Sequence, residues 1–220
     1  MTLTEENIKK NVVDQLYWDD RVDASKIDID VTGKEVTLKG SVPSYNAREA
    51  AVLDAWETPG VSAVHNEIEI EYPTTYTVPS DDDIKTKIKN QFDWNPTIDE
   101  EKIDIAVENG IVELTGTVDS YWKKIRTKEI ASETYGISDI ENKLSVVPTD
   151  SILDKVIAED IVEALDRNLL INAEDIDVKV KDGKATLTCS VNNWSQYRAV
   201  LNTAERTAGV VDIDDNVIIT

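Results

Sequence analysis

The apolar residues of this chain follow one pattern that occurs three times. In the middle occurrence, residues 103–108 read IDIAVE, so that apolar side chains alternate with polar or small ones. Such alternation is typical of a β-strand with one buried face. Asn109-Gly110 follow, a pair that easily adopts the positive φ of a tight turn, and residues 111–118 then resume the alternation. The pattern predicts a β-hairpin, repeated without a gap at offsets of 76 and 73 residues in segments 27–45 and 176–194.

Helical patterns stand before and after each predicted hairpin. Ile8, Val12 and Leu16 are spaced four apart, which indicates one apolar stripe of a first helix. A second helix is predicted after each hairpin, ending at a glycine that suits a left-handed stop. An alternating third strand closes each copy, over residues 64–70, 140–146 and 213–219. We predict an α+β protein of three α-β-β-α-β units, each a three-stranded sheet with two helices packed on it. The third strand should run parallel to the second, and its neighbour is left open.

The repeat also defines the predicted domains. Domain 1 covers residues 1–72, a linker 73–80, domain 2 residues 81–148 and domain 3 residues 149–220. The first join contains two prolines and is longer than the second, so domain 1 is expected to be the most mobile. The single cysteine, Cys189, excludes an intrachain disulfide.

Composition narrows the classes of function. The formal net charge of −21 is spread along the whole chain and should repel phosphate backbones, so nucleic acid is not an expected partner. No apolar run approaches the roughly 20 residues that span a bilayer, and the N-terminus lacks the pattern of a signal peptide. We therefore predict a cytoplasmic protein if residue 1 is the natural start; the alternative is a mature periplasmic form.

The repeated unit resembles the BON domain. The resemblance rests on the element order, on the hairpin pattern I-x-V-x-x-x-G-x-V-x-L-x-G-x-V and on the closing G-V/I-x-x-V/I-x-N, and it covers nearly the whole chain except the linkers. Domain 2 carries the pattern most completely, at Ile105, Val107, Gly110, Val112, Leu114, Gly116, Val118, Gly136, Ile137, Ile140 and Asn142. Domain 3 departs from it, with Cys189 in place of the hairpin glycine and Asp215 in place of the asparagine.

The resemblance implies a function in binding. BON proteins include osmotic-stress-induced periplasmic proteins and are proposed to bind phospholipid or to support the envelope, which implies phospholipid or an envelope protein as partner. A cytoplasmic branch binds potassium, so a cation-responsive scaffold is the alternative. The family supplies no catalytic residues and implies no cofactor.

One candidate site lies on the inward rows of the predicted sheets. Asn66 and Asn142 stand where an apolar residue is expected, and Gly40 and Gly116 interrupt the second strands. These four residues are candidates for a ligand crevice. The structural interpretation is that the amides bond to a strand or turn and that the glycines permit a bulge or a close approach.

A second candidate site combines aromatic and basic residues. Trp18 and Trp94 hold matching positions at the ends of the first helices, where they either pack between elements or form an exposed patch for a membrane or partner. The notable basic cluster beside an aromatic residue lies on the second helix of domain 2 and forms our candidate lipid or partner site: Trp122, Lys123, Lys124, Arg126 and Lys128. No metal site is predicted, because no acidic group has calcium-loop spacing. One histidine and one cysteine far apart argue against catalysis.

Overall fold

The computed structural model describes residues 4–220, which form three units of the same order. Domain 1 consists of α1 (Glu5–Trp18), β1 (Ile27–Thr32), β2 (Glu35–Val42), α2 (Tyr45–Glu57) and β3 (Ala63–Ile70). Domain 2 consists of α3 (Asp81–Asp93), β4 (Ile103–Glu108), β5 (Ile111–Val118), α4 (Tyr121–Ser132), β6 (Asp139–Asn142) and β7 (Ser145–Val146). Domain 3 consists of α5 (Asp154–Asp166), β8 (Asp177–Lys181), β9 (Lys184–Val191), α6 (Trp194–Glu205) and β10 (Asp212–Ile219).

The second strand is the centre of each sheet. In domain 1, β2 pairs antiparallel with β1 and parallel with β3. Domain 3 repeats this arrangement around β9, and in domain 2 both β6 and β7 run parallel to β5. The predicted α+β class and the parallel third strand are confirmed. The neighbour of that strand, which the pattern left open, is the second strand.

Both helices of a unit pack on one face of its sheet. The stripe Ile8, Val12 and Leu16 lies in one buried cluster with Val36 and Leu38 of β2. Residues of the opposite parity, such as Asp28, Lys39 and Glu67, are exposed. Each sheet therefore has one covered face and one solvated face, which is why its strands alternate apolar and polar residues.

An acidic residue in the first turn of the first helix holds the hairpin turn of each domain. In domain 2, the Asp81 carboxylate accepts hydrogen bonds from the backbone N–H groups of Asn109 at 2.8 Å and Gly110 at 2.9 Å. Asp154 accepts the equivalent bonds in domain 3, and Glu5 accepts one from Gly33 in domain 1. The same kind of acid therefore holds the hairpin turn in all three domains.

Replacing Asp81 with alanine is expected to loosen the turn of domain 2. The variant leaves two amides without their charged acceptor, and we expect the free energy of unfolding to fall by about 2 kcal/mol. The measurement is the urea midpoint of domain 2 together with amide exchange at Gly110. Asp82→Ala is the control, because the neighbouring exposed side chain makes no such bond. Equal exchange at Gly110 in both variants would contradict the assignment.

The three domains contact one another through matched residues of their second helices. Tyr45, Tyr121 and Trp194 are the first residues of α2, α4 and α6. Tyr45 lies in the buried cluster of domain 2, where Arg48 also reaches Asp139 at 3.4 Å. Burial raises the pKa of the Tyr45 phenol to about 12.

The next two contacts continue the series. Tyr121 packs against the core of domain 3. The Trp194 ring stacks on Trp56 of domain 1 with a centroid distance of 4.7 Å and an interplanar angle of 17°. Domain 1 thus contacts domain 2, domain 2 contacts domain 3 and domain 3 contacts domain 1. The three contacts therefore close a ring, in which each domain contacts both others.

The ring bears on the expected mobility of domain 1. This domain is attached by the longer join, yet it packs against both other domains, and Tyr72 before the join meets Tyr135 at 5.6 Å between ring centroids. The greater mobility of domain 1 stays a prediction.

Candidate functional site

Large apolar side chains are exposed at the same end of all three domains. Trp18 is 81 % exposed and Trp94 is 88 % exposed, while Leu169 of domain 3 is fully exposed. Tyr17 and Leu170 beside them are also exposed. We call these five residues the tips: Tyr17 and Trp18 in domain 1, Trp94 in domain 2, and Leu169 and Leu170 in domain 3.

The local structure explains why the tips point outward. Leu16 and Phe92 end the buried stripes of α1 and α3. Trp18 and Trp94 follow two residues later, about 200° around a helix, so their rings are directed away from the core. In domain 3 the matching residue is Arg167, and the apolar pair Leu169-Leu170 follows it in the connector.

A side chain next to each tip holds its backbone in a turn. Asn95 Oδ1 accepts a hydrogen bond from the Thr97 N–H at 3.1 Å, and Asn168 Oδ1 accepts one from the Leu170 N–H at 3.1 Å. Asp19 at the matching position of domain 1 accepts a bond from the Arg21 N–H at 2.8 Å. These turns of two residues order the tip backbones before any partner arrives.

The tips hold corresponding places in the three domains. Trp18 and Trp94 are equivalent residues, and Leu169 lies two residues beyond the third equivalent position. Each domain of the ring thus exposes an apolar tip at or just after the end of its first helix.

The basic cluster of α4 is distributed around its helix. Lys123 pairs with Asp119 at 2.7 Å, and Arg126 pairs with Glu129 at 3.0 Å. Trp122 is partly exposed, with the Lys123 ammonium 5.9 Å from its ring centroid. Lys124 and Lys128, one turn apart, have no ion pair with any described residue. The structure thus brings Trp122 and Lys123 together and leaves two lysines of the predicted cluster unpaired.

The predicted crevice residues make local structural contacts. Asn142 donates from Nδ2 to the Lys124 carbonyl at 2.7 Å and accepts from the Leu144 N–H at 3.3 Å, so it joins α4 to the break between β6 and β7. Asn66 accepts from the Ile68 N–H at 3.0 Å. A Cβ added at Gly40 or Gly116 would overlap the carbonyl oxygen of the residue that precedes the first strand. Backbone fills the space beside these glycines, and the ligand crevice stays a prediction.

The described residues offer little to a metal or a nucleophile. No group of three or more His, Cys, Asp or Glu residues within 4–220 could hold a metal ion. His65 Nε2 lies 3.1 Å from Glu35 on an exposed strand face. Burial raises the pKa of the Cys189 thiol, which keeps it protonated and weakly nucleophilic. Of the helices within 4–220, none is both long and apolar enough to cross a bilayer.

Comparison with known proteins decides the family. The BON domain matches residues 4–72, 80–148 and 153–220, which include every helix and strand described above. The chain belongs to the BON domain family. Its tips are therefore features of three BON domains, and the acid that holds each hairpin turn recurs in all three.

Individual relatives of this BON-domain chain are distant. It is 27 % identical over 128 residues to osmotically-inducible protein Y of Escherichia coli (strain K12), a match that covers 57 % of this chain and 64 % of the relative. The matched region thus spans less than two thirds of that relative. The C-terminal domain of CdsD, a structural protein of the type III secretion system of Chlamydia trachomatis, aligns over 99 % of both chains with 13 % identity and a TM-score of 0.28. A likeness at that score carries no argument about fold or function.

Proposed function

We propose that this chain is a non-enzymatic binding protein of the osmotic stress response that docks on phospholipid surfaces through its three tips. The exposed tips carry the proposal, because folding leaves tryptophan and leucine side chains in water at corresponding places of three domains. The link to osmotic stress is supported by the name of the relative, osmotically-inducible protein Y.

The energetics favour three-point contact. Full burial of one large apolar side chain stabilises an association by roughly 1.5–3 kcal/mol, and a tip that enters a bilayer interface gains part of this. In this proposal the three tips face the same surface, so binding of the first brings the others close to it and raises their effective concentration. Three weak contacts can therefore give useful affinity.

The charge of the chain predicts which lipids are preferred. A net charge of −21 should be repelled by the negative potential of an anionic leaflet. Asp19 and Asp20 follow the tip of domain 1, and Asp93 precedes Trp94. Zwitterionic surfaces are therefore the expected target, with apolar contact and not basic residues as the source of affinity.

Removing the tips is expected to abolish binding to vesicles. The full chain should sediment with phosphatidylcholine vesicles and less with vesicles that also contain phosphatidylglycerol. The triple variant Trp18→Ser, Trp94→Ser, Leu169→Ser should lower the partition coefficient at least about tenfold, because roughly 1.4 kcal/mol corresponds to tenfold. All three side chains are exposed, so the fold should be retained, which circular dichroism checks.

The matched control tests the α4 cluster. Lys124→Glu with Lys128→Glu changes charge on α4 and leaves the tips intact, so it should leave sedimentation with phosphatidylcholine unchanged. Loss of binding in this variant, with binding kept in the triple variant, would place the lipid site on α4. Absence of sedimentation under every condition would reject phospholipid and favour an envelope protein as the partner.

A further inference from the structure

The furrow between the two helices of domain 3 is open. The cavity between α5 and α6 has a volume of about 660 Å³ and lies outside the tips except for Leu170 at one end. It opens because Ala164 stands at a position held by Gln15 in domain 1 and Gln91 in domain 2. In domain 2, Gln91 Oε1 accepts a hydrogen bond from Thr134 Oγ1 at 2.7 Å and fills the corresponding space.

Domain 1 fills its furrow in another way. Asp54 on α2 is 3 % exposed, and its Oδ2 atom is buried without a hydrogen-bond partner. Burial raises the pKa of the Asp54 carboxyl to about 6. Thr203 replaces this aspartate in domain 3. Domain 3 thus lacks both the glutamine and the buried acid, and a groove remains.

Three arginines line the open furrow: Arg167, Arg198 and Arg206. They are half of the arginines in a chain whose net charge is −21. None of the three has a basic counterpart in the other domains. The matching residues are Trp18, Glu49 and Glu57 in domain 1, and Trp94, Ile125 and Glu133 in domain 2.

The helix dipole alone does not account for these arginines. Arg167 and Arg206 follow the last residues of α5 and α6, where a cation is favourable. Arg198, however, lies within α6. The corresponding end of α4 carries Glu133, so a basic residue is not a requirement of this fold.

The arginines are only partly neutralised. Arg198 lies 3.4 Å from Glu205 and donates to Asn202 at 2.7 Å. Arg167 lies 3.8 Å from Glu163, and both side chains are mostly exposed, so this ion pair contributes little. Arg206 has no carboxylate partner among the described residues. Asp160 and Glu163 also line the furrow, so an anion should bind on the side of the guanidinium groups.

We propose that this furrow binds a phosphate monoester. A dianion gains more than a monocarboxylate from three guanidinium groups, and the planar guanidinium can donate two parallel bonds to one phosphate. Ser195, Asn168 and Thr203 add neutral hydrogen-bonding groups, and Leu170 and Ala199 provide apolar walls for the organic part. A phosphate monoester group occurs both in soluble phosphorylated compounds and in the headgroup of phosphatidic acid, and either could supply the ligand. The site shares only Leu170 with the tips and goes beyond the proposed function.

Titration of the full chain with glycerol 3-phosphate tests the proposal. In phosphate-free buffer at pH 7.5, calorimetry should show saturable binding, absent for glycerol, weaker for succinate, and accompanied by movement of arginine side-chain resonances. Arg198→Ile and Arg206→Glu insert the residues of domain 2 at the same positions and should each weaken binding at least tenfold. Arg126 lies on α4 outside the furrow. Arg126→Gln is therefore the matched control and should leave glycerol 3-phosphate binding unchanged.

Vesicles containing phosphatidic acid distinguish the two sources of the ligand. If glycerol 3-phosphate fails but these vesicles bind in an Arg198- and Arg206-dependent manner, the ligand is the lipid headgroup. Failure of both probes, or binding that persists in both arginine variants, overturns the proposal. The triple tip variant separates it from the proposed function, because that variant should lose phosphatidylcholine binding and keep glycerol 3-phosphate binding.

Discussion

Replacing Trp56 with serine is expected to open the ring of domains. The Trp56 ring forms the contact from domain 1 to domain 3, stacked on Trp194, which in turn stacks on Tyr197 at 4.8 Å. Truncating a central tryptophan of an interface typically costs about 2–4 kcal/mol, enough to shift the equilibrium between closed and open forms by a factor of about 30 or more. Serine is the residue at this position in domain 2, Ser132, so the helix should tolerate it.

Small-angle scattering measures the effect. A compact chain of 220 residues should have a radius of gyration of about 17 Å, and the open form should exceed it. Trp94→Ser removes a tryptophan of the same size that is 88 % exposed, and it should leave the radius unchanged. An unchanged radius in Trp56→Ser would show that the stack does not hold the ring. An increase would show that the stack holds domain 1 in the ring.

Ring opening should also weaken binding to vesicles. In the proposed function the tips face one surface while the three domains are held by their second helices. In Trp56→Ser they remain exposed but lose their fixed spacing, so the effective concentration of the second and third contacts falls. Comparing vesicle binding of Trp56→Ser with that of the triple tip variant separates the role of the ring from the role of the apolar side chains.

Replacing Gly40 with alanine is expected to unfold domain 1 at low denaturant. Gly40 has φ +118°, and an added Cβ would overlap the carbonyl oxygen of Lys26. The backbone conformation costs an L-residue about 1–3 kcal/mol, and forcing the neighbouring chain away costs a similar amount. We expect a loss of about 4 kcal/mol, a large part of the stability of so small a domain.

A second glycine of the same hairpin is the control. Gly33 also has positive φ, at +64°, but nothing lies within 4 Å of an added Cβ. Gly33→Ala should therefore lose only about 1 kcal/mol, the cost of the left-handed conformation itself. Urea unfolding of both variants, followed by amide exchange in β1 and β2, gives the comparison. Equal losses would show that the close approach at Gly40 carries no special cost.

Domain 3 shows what happens without this glycine. Cys189 replaces it, and β8 begins one residue later than the matching strands, at Asp177. In domains 1 and 2 the first residues of β1 and β4 pair with the glycine itself, as Ile27 with Gly40 and Ile103 with Gly116. A side chain at this position thus accompanies the loss of one pair from the ladder. The departure from the BON pattern, visible in the sequence, has a structural counterpart.

The candidate sites are less predictable from the sequence than the fold is. Trp18 and Trp94 occupy matching positions, but spacing in sequence does not reveal which neighbours cover a helix end, so their exposure stays open at that level. The α4 cluster is visible as a basic run, whereas only the structure shows that Lys123 and Arg126 are paired with Asp119 and Glu129. An alignment of the three copies of the repeat could have indicated the open furrow of domain 3, because Ala164 stands there in place of a glutamine.

Local patterns by themselves determined the three α-β-β-α-β units. Alternation and helical spacing follow from which face of an element is buried, and turn residues such as Asn109-Gly110 follow from the backbone conformation of the turn. Both signals can therefore be recognised in short segments of sequence. Only the tertiary structure decided the ring, the exposure of the tips and the open furrow. Each of these depends on contacts between residues far apart in sequence, such as Trp56 and Trp194. A local sequence pattern does not indicate such contacts.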